Sequence, residues 1–389
     1  MEIWGFSLCE GGQLPTHRES ITHLLGQVSA ADRGGMDGWF FAEHHIDPRH
    51  SLTPSPNLLV AAASQVTTRI RLGNMVTVLP FHHPLRVAEE IRLLDALTNG
   101  RLEVGVGRGG IPHEQAAWGV DGSEVSAMLA EGMQLLQRLL TEEAIDYSTP
   151  WWTGRAVTVV PEPTQEPHPP MWIAAVSDES VEWAARLGFN CSASFGYPEL
   201  LAERLARYGA CWERHHPGTE PGRFGALATV IVAETEQEAI RQGKATVLEQ
   251  YEHFRQLFAK SPAPAQRRIA QYLAGVSLDD LIRDGLAVLG SAEQCVEQVT
   301  SLQSKGVDVL IAWVQPAGLD RGFAEESLGR LCQAVIPQLE KFGRSTPRED
   351  GAGGDVLRPC VAEGYVARGM VRTDGATRQR RRVTNGEAT

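Results

Sequence analysis

Histidine and glutamate side chains cluster in two short segments of the first hundred residues. Glu43, His44 and His45 form the first segment, and His82 and His83 form the second. Imidazole and carboxylate groups can ligate zinc, so one interpretation is a metal-dependent hydrolase. Adjacent residues at a strand end point in opposite directions, however, and no HxH or HExxH spacing is present. A metal site is therefore disfavoured.

A glycine-rich segment follows at positions 105–110, where the sequence reads GVGRGG. It matches the GxGxxG pattern of nicotinamide-dependent dehydrogenases. The context of this match is poor, because the segment does not open a βαβ unit and Ile111 and Pro112 disfavour a tight turn into a helix. We favour a loop whose glycines allow the backbone to approach a bound molecule closely.

A phosphate-binding site is the third interpretation. Arg108 can direct a guanidinium group at a phosphate, and Ser177 and Ser180 flank the start of a predicted helix whose free N–H groups favour anions. Ser177 taken alone is more simply a helix cap. Because the arginine and the serines follow neighbouring predicted strands, they should lie over the same face of the fold. Together they favour a cofactor that carries a phosphate, such as a flavin.

The elements that position these side chains alternate along residues 1–343. Short β-branched or aromatic runs predict eight strands, at 3–8, 38–42, 70–79, 102–106, 171–176, 190–194, 227–233 and 309–314. Amphipathic stretches predict the helices that follow them, at 16–34, 54–67, 84–97, 123–140, 178–187, 198–215, 236–258 with 292–305, and 322–342. Eight such units predict an α/β fold, a closed (β/α)8 TIM barrel, whose active site lies at the carboxyl ends of its strands.

Three segments depart from this alternation. Residues 141–170 predict an insertion with a hairpin around Thr153 and Gly154 and then a proline-rich loop, and residues 260–290 predict a second, mobile insertion. Residues 344–389 contain nine arginines, six acidic residues and a single leucine. Such a segment cannot bury enough apolar surface to fold, so we expect a disordered, basic tail after the barrel of residues 1–343.

The net charge of the chain limits the kinds of molecule that it is expected to bind. The formal net charge is −12, so the chain should repel nucleic acid and anionic membranes. We expect no membrane span, since no apolar run approaches about 20 residues, and no secretory signal is evident at the amino terminus. The six cysteines lie far apart, without CxxC spacing. We therefore expect a cytoplasmic protein that acts on a small molecule.

Three stretches of sequence resemble the bacterial luciferase-like monooxygenase family over roughly the first 340 residues. They are FFAEHH at 40–45, NMVTVLPFHHPLRVAEEIRLLDALTNGRLEVGVGRG at 74–109 and PEPTQEPHPPMWIAAVSDESVEWAARLG at 161–188. The resemblance implies a TIM barrel that binds reduced FMN and uses O2 to oxygenate a small apolar organic substrate. It also implies a separate flavin reductase and a homodimer.

The resemblance also implies roles for individual residues. His44 matches the catalytic histidine of the family, which handles protons, whereas His45 is structural. The positions that match contacts to FMN are the Met75-Val76 peptide bond, expected to be cis beneath the flavin ring, and Arg108, Val176, Ser177 and Ser180 near the phosphate. Gly107 stands where luciferase has a reactive cysteine, which argues against luminescence.

Two alternatives remain open at this point. One is an oxidoreductase on the same barrel that uses a deazaflavin or NAD, and the other is a non-catalytic partner subunit like luciferase β. The presence of both His44 and Arg108 speaks against the second. We also expect an apolar, aromatic substrate pocket lined by Phe6, Ser7, Phe81, His113, Phe195 and Trp313.

Overall fold

Parallel strands alternate with helices along the chain in the computed structural model, which describes residues 1–10, 16–195, 197–261 and 263–341. The predicted tail at 344–389 lies outside the described residues. The strands are β1 (Glu2–Ser7), β2 (Gly38–Phe41), β3 (Arg71–Val78), β4 (Leu102–Gly107), β5 (Ile145–Ser148), β6 (Thr153–Val157), β7 (Met171–Ala174), β8 (Asn190–Ala193), β9 (Phe224–Val232), β10 (Ala287–Gly290) and β11 (Val309–Trp313).

Thirteen α-helices are found within the described ranges. They are α1 (His17–Arg33), α2 (Pro56–Ser64), α3 (Pro84–Thr98), α4 (Pro112–Ala117), α5 (Val125–Thr141), α6 (Asp178–Leu187), α7 (Pro198–His215), α8 (Glu236–Ala259), α9 (Pro264–Leu273), α10 (Leu278–Arg283), α11 (Ala292–Ser304), α12 (Arg321–Arg330) and α13 (Ile336–Lys341). None of the helices in the described residues combines the length and apolarity that crossing a bilayer requires.

Eight of the strands form a closed parallel barrel. Their order is β9, β11, β1, β2, β3, β4, β7, β8, and β8 pairs again with β9 to close the circle. Every residue of β2, β4 and β11 is buried, as expected of strands covered on one face by helices and on the other by the barrel interior. The (β/α)8 TIM barrel predicted from the sequence is confirmed, with each predicted strand observed.

Two local predictions differ from the structure. The segment at 260–290 contains α9, α10 and an unpredicted ninth strand, β10, which pairs with Thr229–Val232 of β9. The hairpin exists as the β5–β6 pair, but its turn lies at 149–152, and Thr153 and Gly154 belong to β6. The turn is set by Thr149, whose hydroxyl accepts hydrogen bonds from the backbone N–H groups of the two tryptophans that follow.

The floor of the barrel, at the amino ends of the strands, is filled by aromatic rings. Trp4 stacks on Phe40 with ring centroids 4.5 Å apart, and Trp172 contacts both rings. Beneath them lies the carboxylate of Glu103, which is 1% exposed and pairs with Arg71 at 2.6 Å and with Arg223 at 2.6 Å. These rings fill the lower half of the barrel.

The charge of Glu103 is maintained by its partners. Burial raises the pKa of this carboxyl, but Arg223 and Arg71 outweigh burial and hold the pKa below its usual value. The Arg223 guanidinium also lies over the Trp172 ring, 4.9 Å from its centroid. A buried carboxylate held by two arginines costs much more to break than an exposed pair.

Replacing Glu103 with glutamine should therefore lower the free energy of unfolding by about 3 kcal/mol, because Arg223 and Arg71 lose a buried counter-charge. The deficit should begin to shrink as the pH falls below about 4.3, the ordinary glutamate pKa of the unfolded chain, and should disappear only once the pH passes below the lowered pKa of the folded carboxyl. Urea denaturation over pH 3–8 measures both effects.

The control is Glu142→Gln, which removes an exposed partner of Arg138 at 3.4 Å and should change stability by no more than about 0.5 kcal/mol. Equal stabilities of the Glu103 and Glu142 variants at neutral pH would contradict the role given to the barrel floor.

Candidate active site

One cavity opens at the carboxyl ends of the strands. Five of the seven residues predicted to act in catalysis or cofactor binding line it together: His44, Met75, Val76, Arg108 and Val176. Of the aromatic pocket expected from the sequence, Phe6, Phe195 and Trp313 line the cavity, whereas Ser7, Phe81 and His113 are not part of its lining. The remainder of the wall is mainly apolar and includes Leu227, Phe254 and Ile311.

His44 follows the end of β2 and is held by a buried glutamate from α4. Its Nδ1 lies 3.2 Å from Oε1 of Glu114, and the same oxygen accepts the backbone N–H of His45 at 2.7 Å. When Nδ1 donates to the carboxylate, Nε2 carries the free lone pair of the ring. Sequence reasoning missed Glu114, because its part in the site depends on α4 lying against the end of β2.

Glu43, His45 and His82 pair with one another, whereas His83 caps α3 by accepting the N–H of Leu85 at 3.2 Å. Oε1 of Glu43 lies 3.0 Å from His45 Nε2 and 2.8 Å from His82 Nε2, and Oε2 accepts the N–H of Val78 at 2.9 Å. Burial raises the pKa of Glu43, but these hydrogen bonds outweigh it and the net pKa is lowered. Within the described ranges no group of three or more His, Cys, Asp or Glu side chains is arranged to hold a metal ion.

His50 is a cavity residue that the sequence did not reveal. Its ring lies 4.3 Å from that of His44, and its Nδ1 lies 3.1 Å from Nε2 of His253 on α8. Burial, followed by the charges of His44 and His253, lowers the pKa of His50 to about 2. His50 is therefore neutral at physiological pH. No local sequence signal could have paired two histidines that lie 203 positions apart.

The predicted cis peptide bond between Met75 and Val76 is present in β3. Gly105 and Gly107 of the neighbouring strand β4 pack closely against this part of β3. A Cβ atom on Gly107 would lie 2.4 Å from a Val76 methyl carbon, and one on Gly105 would lie 2.4 Å from the backbone oxygen of Asn74. Both distances are shorter than real Cβ contacts, so the glycines allow close approach of two strands of the barrel. The two glycines thus serve strand packing, and close approach of this loop to a bound molecule stays a prediction.

Arg108 extends from the loop after β4 into the cavity wall. Its Nη2 donates to Oε1 of Gln266, on α9, at a distance of 3.4 Å. It forms no ion pair with a carboxylate among the residues that the structure describes, and burial lowers its pKa while the charge of Glu179 opposes that effect. A largely buried guanidinium with one long hydrogen bond is suited to receive an anion such as a phosphate.

The serines at the start of α6 form a capping box. The Ser177 hydroxyl accepts the N–H of Ser180 at 3.3 Å, and the Ser180 hydroxyl accepts the N–H of Ser177 at 3.1 Å. The simpler expectation of a helix cap is thus confirmed. Val176, directly before them, lines the cavity, whereas neither serine is part of the lining. The start of α6 is therefore adjacent to the cavity rather than within it.

The contact between Glu43 and His82 predicts how the His82 imidazole titrates. Burial lowers the pKa of this imidazole. The hydrogen bond and the negative charge of Glu43 raise the pKa by a larger amount, so the net shift is upward. In a pH titration followed by NMR of the ring nitrogens, His82 should titrate above about 6.5, and Glu43→Gln should abolish the elevation. His50 provides the internal control, since it should remain neutral throughout. A midpoint for His82 at or below 6.5 in the wild-type chain would contradict this arrangement.

A sequence model described as luciferase-like monooxygenase matches residues 1–309. An uncharacterized protein, y4wF of Sinorhizobium fredii, is 39% identical over 166 residues, which span 43% of this chain and about half, 48%, of that relative. The oxygenase component of a flavin-dependent trigonelline monooxygenase from Acinetobacter baylyi is 25% identical over 341 residues, spanning 84% of this chain and 92% of the relative.

A solved structure has a similar fold. It is the oxygenating constituent of 3,6-diketocamphane monooxygenase from Pseudomonas putida, a type II Baeyer-Villiger monooxygenase in complex with FMN. Its TM-score is 0.74 at 20% identity, with 87% of this chain and 98% of that chain covered. At this identity the likeness is one of fold.

Proposed function

This chain belongs to the luciferase-like monooxygenase family and is a flavin-dependent monooxygenase, and we propose that it uses reduced FMN and O2 to oxygenate a small apolar organic molecule. The observation that carries the proposal is the meeting of His44 and Arg108 in the wall of one apolar cavity. The first is a candidate acid or base, and the second is a candidate anchor for the phosphate of the cofactor.

Bound reduced FMN would supply the two electrons needed to insert one oxygen atom of O2 into the substrate and to release the other as water. The residues suited to hold it surround the cavity in two groups. Arg108 would pair with the phosphate, assisted by the backbone of Val176 and by Ser177 and Ser180 at the amino end of α6. The cis peptide of Met75 and Val76 would lie beneath the flavin ring.

His44 is the proposed acid and base. Glu114 would fix its tautomer by accepting from Nδ1, which leaves Nε2 to take up and return a proton within the cavity. Glu114 is 1% exposed and also holds the backbone of the next residue, so the ring is positioned by a rigid partner. We name Glu114 a positioning residue on these grounds.

Water would be excluded by the helices that cover the cavity. Phe254, Leu257 and Phe258 of α8 line it with apolar surface, and Gln266 of α9 is joined to Arg108 by a hydrogen bond. Exclusion of water from an active site protects reactive intermediates from hydrolysis. The region that contains α9 thus acts as a cover for the proposed cofactor site.

A separate flavin reductase would supply the reduced flavin. Support comes from the trigonelline monooxygenase relative, which is named as the oxygenase component of its system. We also propose, from the family resemblance, that the chain forms a homodimer.

Replacing Arg108 with alanine should weaken binding of reduced FMN by about 1.5–3 kcal/mol, because a charge-assisted hydrogen bond to the phosphate is lost. Anaerobic fluorescence titration measures the dissociation constant. Arg155→Ala removes an exposed arginine on β6 and is the matched control, expected to bind like the wild-type chain. Unchanged affinity for reduced FMN in the Arg108 variant would show that Arg108 does not bind the phosphate.

Replacing His44 with alanine should lower the turnover number for coupled oxygenation by about 10²–10⁴-fold, the usual contribution of general acid–base catalysis, while affinity for FMN stays within about twofold. Mass spectrometry of the oxygenated product, with a reductase present, gives the rate. Externally added imidazole should restore part of it. His215→Ala, on the exposed end of α7, is the control. Coupled oxygenation at the wild-type rate by the His44 variant would contradict the assignment of His44 as the acid and base.

A further inference from the structure

We propose that Arg204 of α7 is a positioning residue for the phosphate of the bound flavin. Its guanidinium fixes the peptide group that precedes α6 and adds a buried positive charge near the start of that helix. The assignment rests on the proposed function, which places the phosphate at Arg108 and the start of α6. Arg204 is not part of the cavity lining, so it would act on the phosphate through Val176 and through its charge.

Arg204 is 1% exposed, and its guanidinium donates to two backbone carbonyl groups. Nη2 donates to the oxygen of Val176 at 2.8 Å, and Nη1 makes a longer contact of 3.5 Å with the oxygen of Ser194. Val176 and Ser194 follow the paired strands β7 and β8, and both line the cavity. A single side chain of α7 therefore links the ends of two neighbouring strands of the barrel.

The contact with Val176 sets the orientation of the peptide group at the start of α6. The peptide bond between Val176 and Ser177 is trans, so its C=O and N–H groups point in opposite directions. Because the oxygen faces Arg204, the Ser177 N–H points away from Arg204, and the Ser180 hydroxyl accepts it at 3.1 Å. The guanidinium thus orients one end of the capping box whose two serines are proposed to assist in holding the phosphate.

The positive charge of Arg204 is not balanced by a direct partner. Arg204 forms no ion pair with a carboxylate among the residues that the structure describes, and its Nε has no hydrogen-bond partner there. Burial lowers its pKa, but a guanidinium remains protonated at physiological pH. Removing a charge from water is costly unless hydrogen bonds or an opposite charge compensate for it. A phosphate near the start of α6 would supply an opposite charge.

Arg108 and Arg204 approach the start of α6 from two different elements of the fold. The charge of Glu179 acts on Arg108 and the charge of Asp178 acts on Arg204, and both acids belong to the first turn of α6. These acids are exposed, and Asp178 pairs with Arg207 at 3.0 Å. Solvent therefore screens their charges more than it screens the two largely buried guanidinium groups. The combination favours an anion at this end of the helix.

Arg92 of α3 makes the same kind of contacts away from the cavity wall. It is 9% exposed, and it donates to the oxygens of Leu140 at 2.8 Å and Pro161 at 3.2 Å. Its Nε is also unpaired within the described ranges, and neither Leu140 nor Pro161 lines the cavity. Arg92 therefore separates the general effect of losing a buried arginine from an effect on the phosphate.

The test is an anaerobic titration with reduced FMN and with reduced riboflavin, which lacks the phosphate. Arg204→Met removes the charge and the donors and leaves an unbranched apolar side chain. It should weaken binding of reduced FMN by about 10- to 30-fold, the upper range for a residue that acts through its neighbours, and leave reduced riboflavin within about twofold. Arg204→Lys keeps the charge without the planar fork, and it should weaken reduced FMN by about 3- to 5-fold.

Arg92→Met is the matched control. Urea denaturation should show that it loses about as much stability as Arg204→Met, since each arginine holds two carbonyl groups. The ratio of its affinities for the two flavins should nevertheless equal that of the wild-type chain. Arg204→Lys, the conservative change, decides the question if Arg204→Met does not fold.

A wild-type ratio of the two affinities in the Arg204 variants, or an equal loss of affinity for both flavins, would overturn the role given to Arg204. A loss of the ratio in Arg92→Met as large as that in Arg204→Met would overturn it as well. The wild-type chain tests the proposed function separately. Equal affinities of the wild-type chain for the two flavins contradict the phosphate site itself, whereas a preference for FMN that the Arg204 variants retain contradicts only the role of Arg204.

Discussion

The buried carboxylate of Glu103 is the interaction on which the rest of the structure depends. It joins β4 to β3 through Arg71 and reaches Arg223, at the start of β9, across the closed barrel. The aromatic rings above it fill the floor, and a cavity opens at the carboxyl ends of the strands. Because parallel closure brings all of those ends to one rim, residues distant in the sequence meet there.

Buried carboxylates also position side chains at the carboxyl ends of the strands. There their partners are histidines, whereas in the floor they are arginines. Glu43 holds His45 and His82, and Glu114 holds His44. In this division each glutamate orients the imidazole rings that it contacts. Only His44 among these three imidazoles lines the cavity, which agrees with the role proposed for it. Arg108 stands apart from these carboxylates, and its weak bond to Gln266 suits an anionic ligand.

Strands such as β2, β7 and β11 could be predicted because each is a short run of apolar or aromatic residues. The strand at Ala287–Gly290 was missed because four apolar residues do not distinguish a strand from part of a helix. His44 and Arg108 could be found from strand ends and family resemblance. Glu114 and His50 could not, since their contacts depend on helices 70 and 203 positions away that pack against the rim only in the folded chain.

The central claim is that this family member holds reduced FMN at the rim through its phosphate. An anaerobic titration that compares reduced FMN with reduced riboflavin, which lacks the phosphate, tests it most directly. We expect saturable binding of one reduced FMN per chain and an affinity for reduced riboflavin that is lower by about tenfold or more, the value of one charge-assisted hydrogen bond. Equal affinities for the two flavins, or no saturable binding of reduced FMN, would contradict it.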